Sequence, residues 1–178
     1  LQRHRDRQLD RKRRQPERHF RVLISREEPD IDFRGEPFIM QKILFVCTGN
    51  TCRSPMAEKI FNHRAPSGYR AASAGIVTRD GKPISENSRL ALEEIGIIGE
   101  HASRLITEDM MKEYDHIVGL TAEHAAVLKQ RFPDHARKIS AFPVEISDPY
   151  GCDLDTYRRC RDRISDGIGL LLREICHE

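Results

Sequence analysis

An uninterrupted apolar run, Ile43-Leu-Phe-Val46, leads directly into Cys47-Thr-Gly-Asn-Thr-Cys-Arg-Ser54, and Pro55 follows. A short apolar run of strand-forming residues predicts a strand that is buried on both faces, as in a parallel sheet. Ser54 and Pro55 predict the start of a helix, with Ser54 as N-cap and Pro55 as the first helical residue. A strand, a loop and a helix in this order form the place where open parallel sheets bind their ligands.

The downstream sequence continues to alternate between strands and helices. Strands are predicted where short apolar runs lie between turn residues, and helices where apolar residues recur every three or four positions. The predicted strands are 69–74, 116–120 and 138–142; the predicted helices are 85–95, a short helix capped by Thr107, 121–132, and a last helix with the apolar stripe Tyr157, Cys160, Ile164, Ile168, Leu171 and Ile175. This alternation predicts an α/β fold, a small doubly wound parallel sheet with helices on both faces.

Charge separates the first 39 residues from the rest of the chain. Residues 1–39 carry eleven Lys/Arg against eight Asp/Glu, whereas residues 40–178 carry 19 against 20. The first segment contains few apolar residues, so we expect it to be disordered, or to reflect a mis-assigned start, since Met40 directly precedes the first strand. We therefore predict an N-terminal extension over 1–39 and one globular domain over 40–178. Acidic residues interleave with the arginines of the extension, which argues against a nucleic-acid partner.

The cysteines and the hydropathy pattern bear on the compartment. The chain has five cysteines, an odd number, and only Cys47 and Cys52 lie close together. This pattern is typical of reduced thiols rather than of a disulfide framework. No apolar run approaches the ~20 residues that a membrane span needs, so no membrane partner is expected. We also find no apolar stretch of the kind that a secretion signal contains, and we expect a cytoplasmic protein.

The loop between the first strand and the first helix is suited to bind an anion. Unpaired backbone N–H groups and partial positive charge lie at the start of a helix. Gly49 and Asn50 tolerate left-handed backbone geometry, which lets successive N–H groups turn toward one ligand. Arg53 adds a planar guanidinium that can hold two phosphate oxygens. These features predict a binding site for a phosphate group.

Cys47 would lie beneath a phosphate that this loop holds. The helix dipole, Arg53 and the Ser54 hydroxyl favour the thiolate, which can attack the phosphorus in line and form a phosphocysteine. The departing group then needs a proton, and the best candidate donor is Asp148 in the turn Asp148-Pro-Tyr-Gly151 after the last strand. Loops at the carboxyl ends of neighbouring parallel strands can converge on one site.

The two motifs Val46-Cys-Thr-Gly-Asn-Thr-Cys-Arg-Ser-Pro-Met-Ala-Glu58 and Asp148-Pro-Tyr-Gly151 together resemble the low-molecular-weight protein tyrosine phosphatase family. The resemblance covers Met40 to the C-terminus. It implies a four-stranded parallel sheet and a phosphatase domain that acts on phosphorylated proteins without a metal or another cofactor. The implied roles are nucleophile for Cys47, phosphate clamp for Arg53, and general acid and then base for Asp148. Phosphate binding and support of the loop are implied for Thr48, Gly49, Asn50, Thr51, Cys52 and Ser54. Tyr150 would line the substrate cleft, and Cys52 would be the reversible disulfide partner of Cys47.

Thr51 bears on which phosphorylated side chain is the substrate. Members of the family that act on phosphotyrosine usually carry Ile at this position, whereas Thr resembles the protein-arginine-phosphatase branch. A hydroxyl can hydrogen-bond to polar nitrogen groups near the phosphate, while an apolar side chain would desolvate them without compensation. Thr51 therefore favours phosphoarginine, and phosphotyrosine remains the alternative.

Two alternatives compete with a phosphatase: an arsenate reductase and a zinc site. Arsenate reductases that are coupled to thioredoxin resemble the same loop, but they need further cysteines in the middle of the domain. This chain has none between Cys52 and Cys152.

A zinc site formed by Cys47, Cys52 and His63 lacks a second ligand pair at finger-like spacing, so no metal is expected. His101 and Arg104 could line a cleft, but we interpret them as part of a solvated loop.

Overall fold

Four parallel strands form the centre of the molecule. The computed structural model describes residues 40–176, so the extension predicted over 1–39 lies outside the described residues. The strands are β1 (Gln41–Cys47), β2 (Tyr69–Gly75), β3 (His116–Gly119) and β4 (Ile139–Ala141). Their order in the sheet is β2-β1-β3-β4, and every pairing is parallel. The predicted parallel sheet is confirmed, although β4 is shorter than the predicted strand over 138–142.

Helices cover both faces of this sheet. They are α1 (Arg53–Arg64), α2 (Glu86–Glu93), α3 (Glu108–Glu113), α4 (Ala122–Arg131) and α5 (Leu154–Ile175), with a 3-10 helix at Pro133–Lys138. Ile43 and Phe45 of β1 pack with α1, α2 and α5, whereas Leu44 and Val46 pack with α3 and α4. Because alternate residues of a strand point to opposite faces, the uninterrupted apolar run in β1 is a consequence of two covered faces. The predicted doubly wound α/β fold is confirmed.

The start of α1 differs from the sequence prediction. The helix begins at Arg53 with Cys52 in the N-cap position, so Ser54 and Pro55 lie within its first turn. The Ser54 hydroxyl does not cap the helix, because it lies 3.0 Å from the Cys47 thiol and accepts a 2.9 Å hydrogen bond from the Asn50 amide. The predicted cap was therefore wrong. The buried contact with the loop outweighs the general preference of serine for the N-cap position.

The other predicted capping residues lie where the sequence placed them. Thr107 accepts a hydrogen bond from the Met110 backbone N–H, and Thr121 does the same for His124. The apolar stripe of α5 faces the core, although its last member, Ile175, is only partly buried. None of the helices in the described part of the chain is long and apolar enough to cross a membrane.

Strand β3 and helix α4 approach each other closely. A Cβ atom on Gly119 would lie 2.5 Å from the backbone nitrogen of Ala125, nearer than real Cβ atoms come. Glycine at this position therefore lets the first turn of α4 lie directly against the end of β3. As a result, His124 lies beside the loop that follows β1.

Candidate active site

The loop that follows β1 lies at the carboxyl end of the sheet, where the chain order reverses between β1 and β3. Doubly wound sheets bind ligands at such a point. A cavity of about 310 Å³ opens there, and its lining residues are Cys47, Thr48, Gly49, Thr51, Cys52, Arg53, Lys82, Asp148 and Tyr150. The structure thus brings the Cys47 loop together with the distant Asp148 turn. Lys82 is a lining residue that the sequence argument missed.

Arg53 and Asp148 form an ion pair in this cavity. The Arg53 side chain is only 7% exposed, and its Nη2 donates to Asp148 Oδ2 at 2.7 Å. The other carboxylate oxygen, Oδ1, accepts from the Tyr150 backbone N–H at 3.2 Å. Within residues 40–176, Arg53 Nε is the one buried side-chain nitrogen or oxygen that has no hydrogen-bond partner. A buried N–H donor without an acceptor is unfavourable, and an anionic oxygen would satisfy it well.

Asn50 organises the loop around the Cys47 thiol. It is the only described non-glycine residue with positive φ, at 53°, and its side chain is fully buried. Its amide nitrogen donates to the hydroxyls of Ser54 and Ser73 at 2.9 Å each, and its amide oxygen accepts from the Arg104 backbone N–H at 2.8 Å. The Ser54 hydroxyl in turn lies 3.0 Å from Cys47 Sγ. Asn50 therefore sets both the left-handed turn and the position of the hydroxyl beside the thiol.

His101 also holds this loop, and its assignment to a solvated loop was wrong. Its Nε2 lies 2.7 Å from the backbone carbonyl oxygen of Asn50. Because a carbonyl only accepts, Nε2 carries the hydrogen. Burial lowers the pKa of His101, and the hydrogen bond to Asn50 opposes this shift. The segment that includes Arg104 runs beside the loop, since Leu105 pairs with the end of β2. Nothing local in the sequence indicates this approach.

His124 is a further residue that sequence reasoning missed. It is 8% exposed, with Nε2 3.0 Å from the Thr48 hydroxyl and Nδ1 2.9 Å from the Thr121 hydroxyl. Burial lowers its pKa, and the charge of Arg53 adds to the effect. His124 thus connects the N-terminus of α4 to the residue that follows Cys47. In the sequence it resembles an ordinary polar residue in the first turn of a helix.

Backbone contacts with the end of β2 complete the support of the loop. The N–H groups of Ile76 and Val77 donate to the carbonyl oxygens of Cys47 and Thr48, both at 2.9 Å. A Cβ atom on Gly75 would lie 2.9 Å from the Thr48 carbonyl oxygen. Only glycine fits this contact without displacing the loop.

Cys52 lies under the loop among hydroxyl groups. Its Sγ is 3.4 Å from both the Ser85 and the Tyr157 hydroxyls, and both Cys47 and Cys52 are free thiols. Burial raises the pKa of Tyr157 to about 12, and its hydrogen bond with Cys52 adds to the shift, so this hydroxyl keeps its proton. Burial likewise raises the pKa of Cys160 to about 12. The role of Cys52 as a redox partner stays a prediction.

Metal ligands do not converge in the described part of the chain. Residues 40–176 contain no group of three or more His, Cys, Asp or Glu side chains placed to hold a metal ion.

Comparison with known proteins identifies the family of this chain. The family model described as low molecular weight phosphotyrosine protein phosphatase matches residues 42–178. A protein-arginine-phosphatase from Geobacillus stearothermophilus is 32% identical over an alignment of 141 residues that covers 75% of this chain and 95% of that protein. The solved structure of the YwlE arginine phosphatase from Geobacillus stearothermophilus superposes with a TM-score of 0.75 at 30% identity, covering 77% of this chain and 94% of that one.

Relatives with other names share the same range. The low molecular weight protein-tyrosine-phosphatase Etp of Escherichia coli strain K12 is 33% identical, over 74% of this chain and 87% of that protein. Arsenate reductase 1 of Staphylococcus epidermidis is 34% identical, over 72% of this chain and 95% of that protein. The family match spans the Cys47 loop and the Asp148 turn, and this chain belongs to the low molecular weight phosphotyrosine protein phosphatase family.

Proposed function

We propose that this protein is a cysteine-dependent protein phosphatase, which hydrolyses phosphorylated side chains through a phosphocysteine on Cys47. One observation carries the proposal: the Cys47 thiol, the Arg53 guanidinium with its unpaired Nε, and the Asp148 carboxylate line one cavity at the start of a helix. A nucleophile, an anion clamp and a proton donor are the groups that transfer of a phosphoryl group to a thiol requires.

Binding of the phosphate comes first. Its oxygens accept hydrogen bonds from the backbone N–H groups between Cys47 and Arg53 and from Arg53 Nε. Because Arg53 is almost fully buried, its charge is little screened by water and favours the dianion strongly. The ion pair with Asp148 keeps the guanidinium plane oriented before the substrate arrives. Charge that develops on the equatorial oxygens is stabilised by groups that are already in place.

Two chemical steps follow. In the first, which requires Asp148 in its protonated form, the Cys47 thiolate forms a bond to phosphorus, the bond from phosphorus to the side-chain oxygen or nitrogen breaks, and Asp148 gives its proton to that atom. In the second, Asp148 takes a proton from water, the water oxygen attacks phosphorus, and the phosphorus–sulfur bond breaks to release phosphate and the thiolate. The Ser54 hydroxyl, 3.0 Å from the sulfur, donates to the thiolate at both ends of this cycle.

The position of Asp148 suits transfer to a departing group. Its side chain is 52% exposed, whereas Arg53 is buried beneath it. Asp148 therefore lies at the mouth of the cavity, where the dephosphorylated side chain leaves, and Tyr150 forms the adjacent wall. Phosphate bound deep in the cavity would have Cys47 on one side and Asp148 on the other, as in-line displacement requires.

We propose phosphoarginine as the preferred substrate, with phosphotyrosine as the alternative. Thr51 lines the cavity and offers a hydroxyl to the polar guanidino nitrogens next to the phosphate. An apolar side chain there would suit an aromatic ring better. The relatives named as a protein-arginine-phosphatase support this preference, and the relative named as a tyrosine phosphatase supports the alternative.

Arsenate reduction is a weaker candidate. One relative bears that name, but the chain has no cysteine between Cys52 and Cys152 to relay a disulfide. The buried Cys160, with its pKa raised to about 12, stays a thiol and is a poor nucleophile.

We also propose that residues 40–178 form the catalytic domain and that the extension over 1–39 is dispensable. The family match begins at residue 42. A protein that starts at Met40 should retain full activity. A cytoplasmic location is part of the same proposal, because all five cysteines are free thiols and the reducing cytoplasm preserves them.

Substitution of the nucleophile tests the proposal. Cys47→Ser should abolish hydrolysis of an aryl phosphate and of phosphoarginine and phosphotyrosine peptides, while binding of inorganic phosphate persists. The matched control is Cys176→Ser, since Cys176 is an exposed free thiol at the end of α5, and it should remain fully active. Turnover by Cys47→Ser at the wild-type rate would contradict the proposal. Thioredoxin-dependent reduction of arsenate in place of phosphopeptide hydrolysis would favour the alternative.

A further inference from the structure

A second and larger cavity adjoins the catalytic cavity. Its volume is about 960 Å³, and it shares the lining residues Thr51, Lys82 and Tyr150 with the catalytic cavity. The two cavities therefore form one continuous cleft. The larger part, which we call the Ile98 groove, lies between the segments 82–86 and 98–101 and is lined further by Arg89 and Glu93 of α2.

Exposed apolar side chains concentrate at this groove. Among the described residues, the most exposed large apolar side chains are Ile98 at 82%, Tyr150 at 78% and Val77 at 70%, and the next reach only 42%. The first two line the Ile98 groove. A single exposed apolar residue needs no explanation, but two that face one cleft beside a catalytic cavity indicate a contact surface.

The structure holds Ile98 in this exposed position. The preceding residue, Ile97, is buried, and its N–H donates to the Leu92 carbonyl at 3.0 Å. Beyond Ile98, Lys59 Nζ donates to the Glu100 carbonyl at 2.8 Å, and His101 bonds to the catalytic loop. Because the segment is anchored on both sides, Ile98 faces the groove without first having to be ordered, which lowers the cost of binding.

The charged residues at the groove limit which side chains it can bind. Arg89 pairs with both Glu86, at 2.5 Å, and Glu93, so its charge is compensated within α2. Glu100 is exposed beside them, and Lys82 lies at the boundary with the catalytic cavity. Three acids and two bases line the groove, and Lys59 Nζ lies beside Glu100, so the charges nearly balance. The groove therefore suits an apolar segment better than a strongly charged one.

We infer that the Ile98 groove binds the stretch of substrate polypeptide next to the phosphorylated residue and receives an apolar side chain from it against Ile98. The inference rests on the proposed function. With the phosphate held at Cys47, the substrate backbone leaves the catalytic cavity past Tyr150 and Lys82, and these residues open into the groove. The protein thereby selects its sites by an apolar neighbour as well as by the phosphorylated side chain.

Peptides and a surface substitution test the inference. We would prepare phosphoarginine and phosphotyrosine peptides in a Gly/Ser background and place one Leu at each flanking position in turn. At one position or more, Leu should raise kcat/KM above that of the all-Gly/Ser peptide by roughly tenfold, mainly through KM. Replacing Leu by Glu at that position should remove the gain.

The variant Ile98→Ser should lose this preference for Leu, with kcat/KM for the best peptide reduced about tenfold. Hydrolysis of a small aryl phosphate should be unchanged, because it does not reach the groove. The matched control is Val127→Ser, a 42% exposed valine on α4, which packs on the opposite face of the sheet, and it should behave as wild type.

The outcomes separate this inference from the proposed function. Equal kcat/KM for all flanking sequences, or a preference for Leu that survives Ile98→Ser, would overturn the groove inference and leave the phosphatase proposal in place. Hydrolysis of aryl phosphate without hydrolysis of any phosphopeptide would overturn the protein phosphatase proposal and the groove inference together.

Discussion

Replacement of Asn50 by alanine should damage both stability and catalysis. The variant loses three hydrogen bonds and leaves the part-buried backbone N–H of Arg104 without its acceptor, at roughly 1–3 kcal/mol. Alanine is also less tolerant of the left-handed backbone at φ 53°, which adds ~1 kcal/mol. We expect the free energy of unfolding to fall by about 2–4 kcal/mol. Because the Ser54 hydroxyl loses its orienting donor, we expect kcat to fall about 100-fold.

Two control variants separate the causes. Asn50→Gly accepts the backbone geometry but lacks the amide, so it should regain ~1 kcal/mol of stability without regaining kcat. Asn62→Ala removes two side-chain hydrogen bonds, since Asn62 bonds to both the N–H and the carbonyl of Ala71 at 2.8 and 2.9 Å. That pair lies outside the catalytic loop, so Asn62→Ala should lose stability and keep kcat.

Urea unfolding followed by circular dichroism measures the stability of the three variants. Turnover of an aryl phosphate, at a temperature where all remain folded, measures kcat. If Asn50→Ala lost stability as Asn62→Ala does while its kcat stayed at the wild-type value, Asn50 would support the fold without shaping the catalytic loop, and the reasoning would be refuted.

Three further changes have defined expectations. Gly75→Ala places a methyl group 2.9 Å from the Thr48 carbonyl oxygen, so affinity for inorganic phosphate should fall at least about tenfold by calorimetry; unchanged affinity would show that the loop can move freely. Burial holds the pKa values of His101 and His124 below the ordinary value of 6.5. Below about pH 6.5 the unfolded chain therefore binds more protons than the folded protein, and the free energy of unfolding should fall as the pH drops. Replacing both by Gln should flatten that dependence, and an equally steep one would argue against it. Thr51→Ile should shift the ratio of kcat/KM from phosphoarginine toward phosphotyrosine peptides, and an unchanged ratio would show that Thr51 does not set specificity.

Much of the fold follows from local sequence. The apolar run Ile43–Val46 predicts a strand with two covered faces, and the cores on both sides of the sheet confirm it. Thr107 and Thr121 cap helices as their chemistry predicts. Ser54 does not, because a buried contact with the Cys47 thiol competes with capping. Local preference therefore predicts an element well unless a tertiary contact uses the same atom.

The supporting residues of the site could not be read from the sequence. His101 reaches the catalytic loop across 51 residues and His124 across 76. Both contacts depend on how closely other segments approach the loop, and for His124 on the absence of a side chain at Gly119. The loop itself was recognisable because Cys47, Arg53 and the helix start lie within one short stretch.

The central claim is a covalent intermediate on Cys47, and it can be trapped. In Asp148→Ala the hydrolytic water loses its general base, whereas an aryl phosphate with a good leaving group still reacts with the thiolate. The reaction would be quenched in acid during turnover and the protein analysed by peptide mass spectrometry. Asp148→Ala should then carry one phosphoryl group on Cys47. A phosphoryl group on another residue such as Ser54, or none during continuing turnover, would contradict the account.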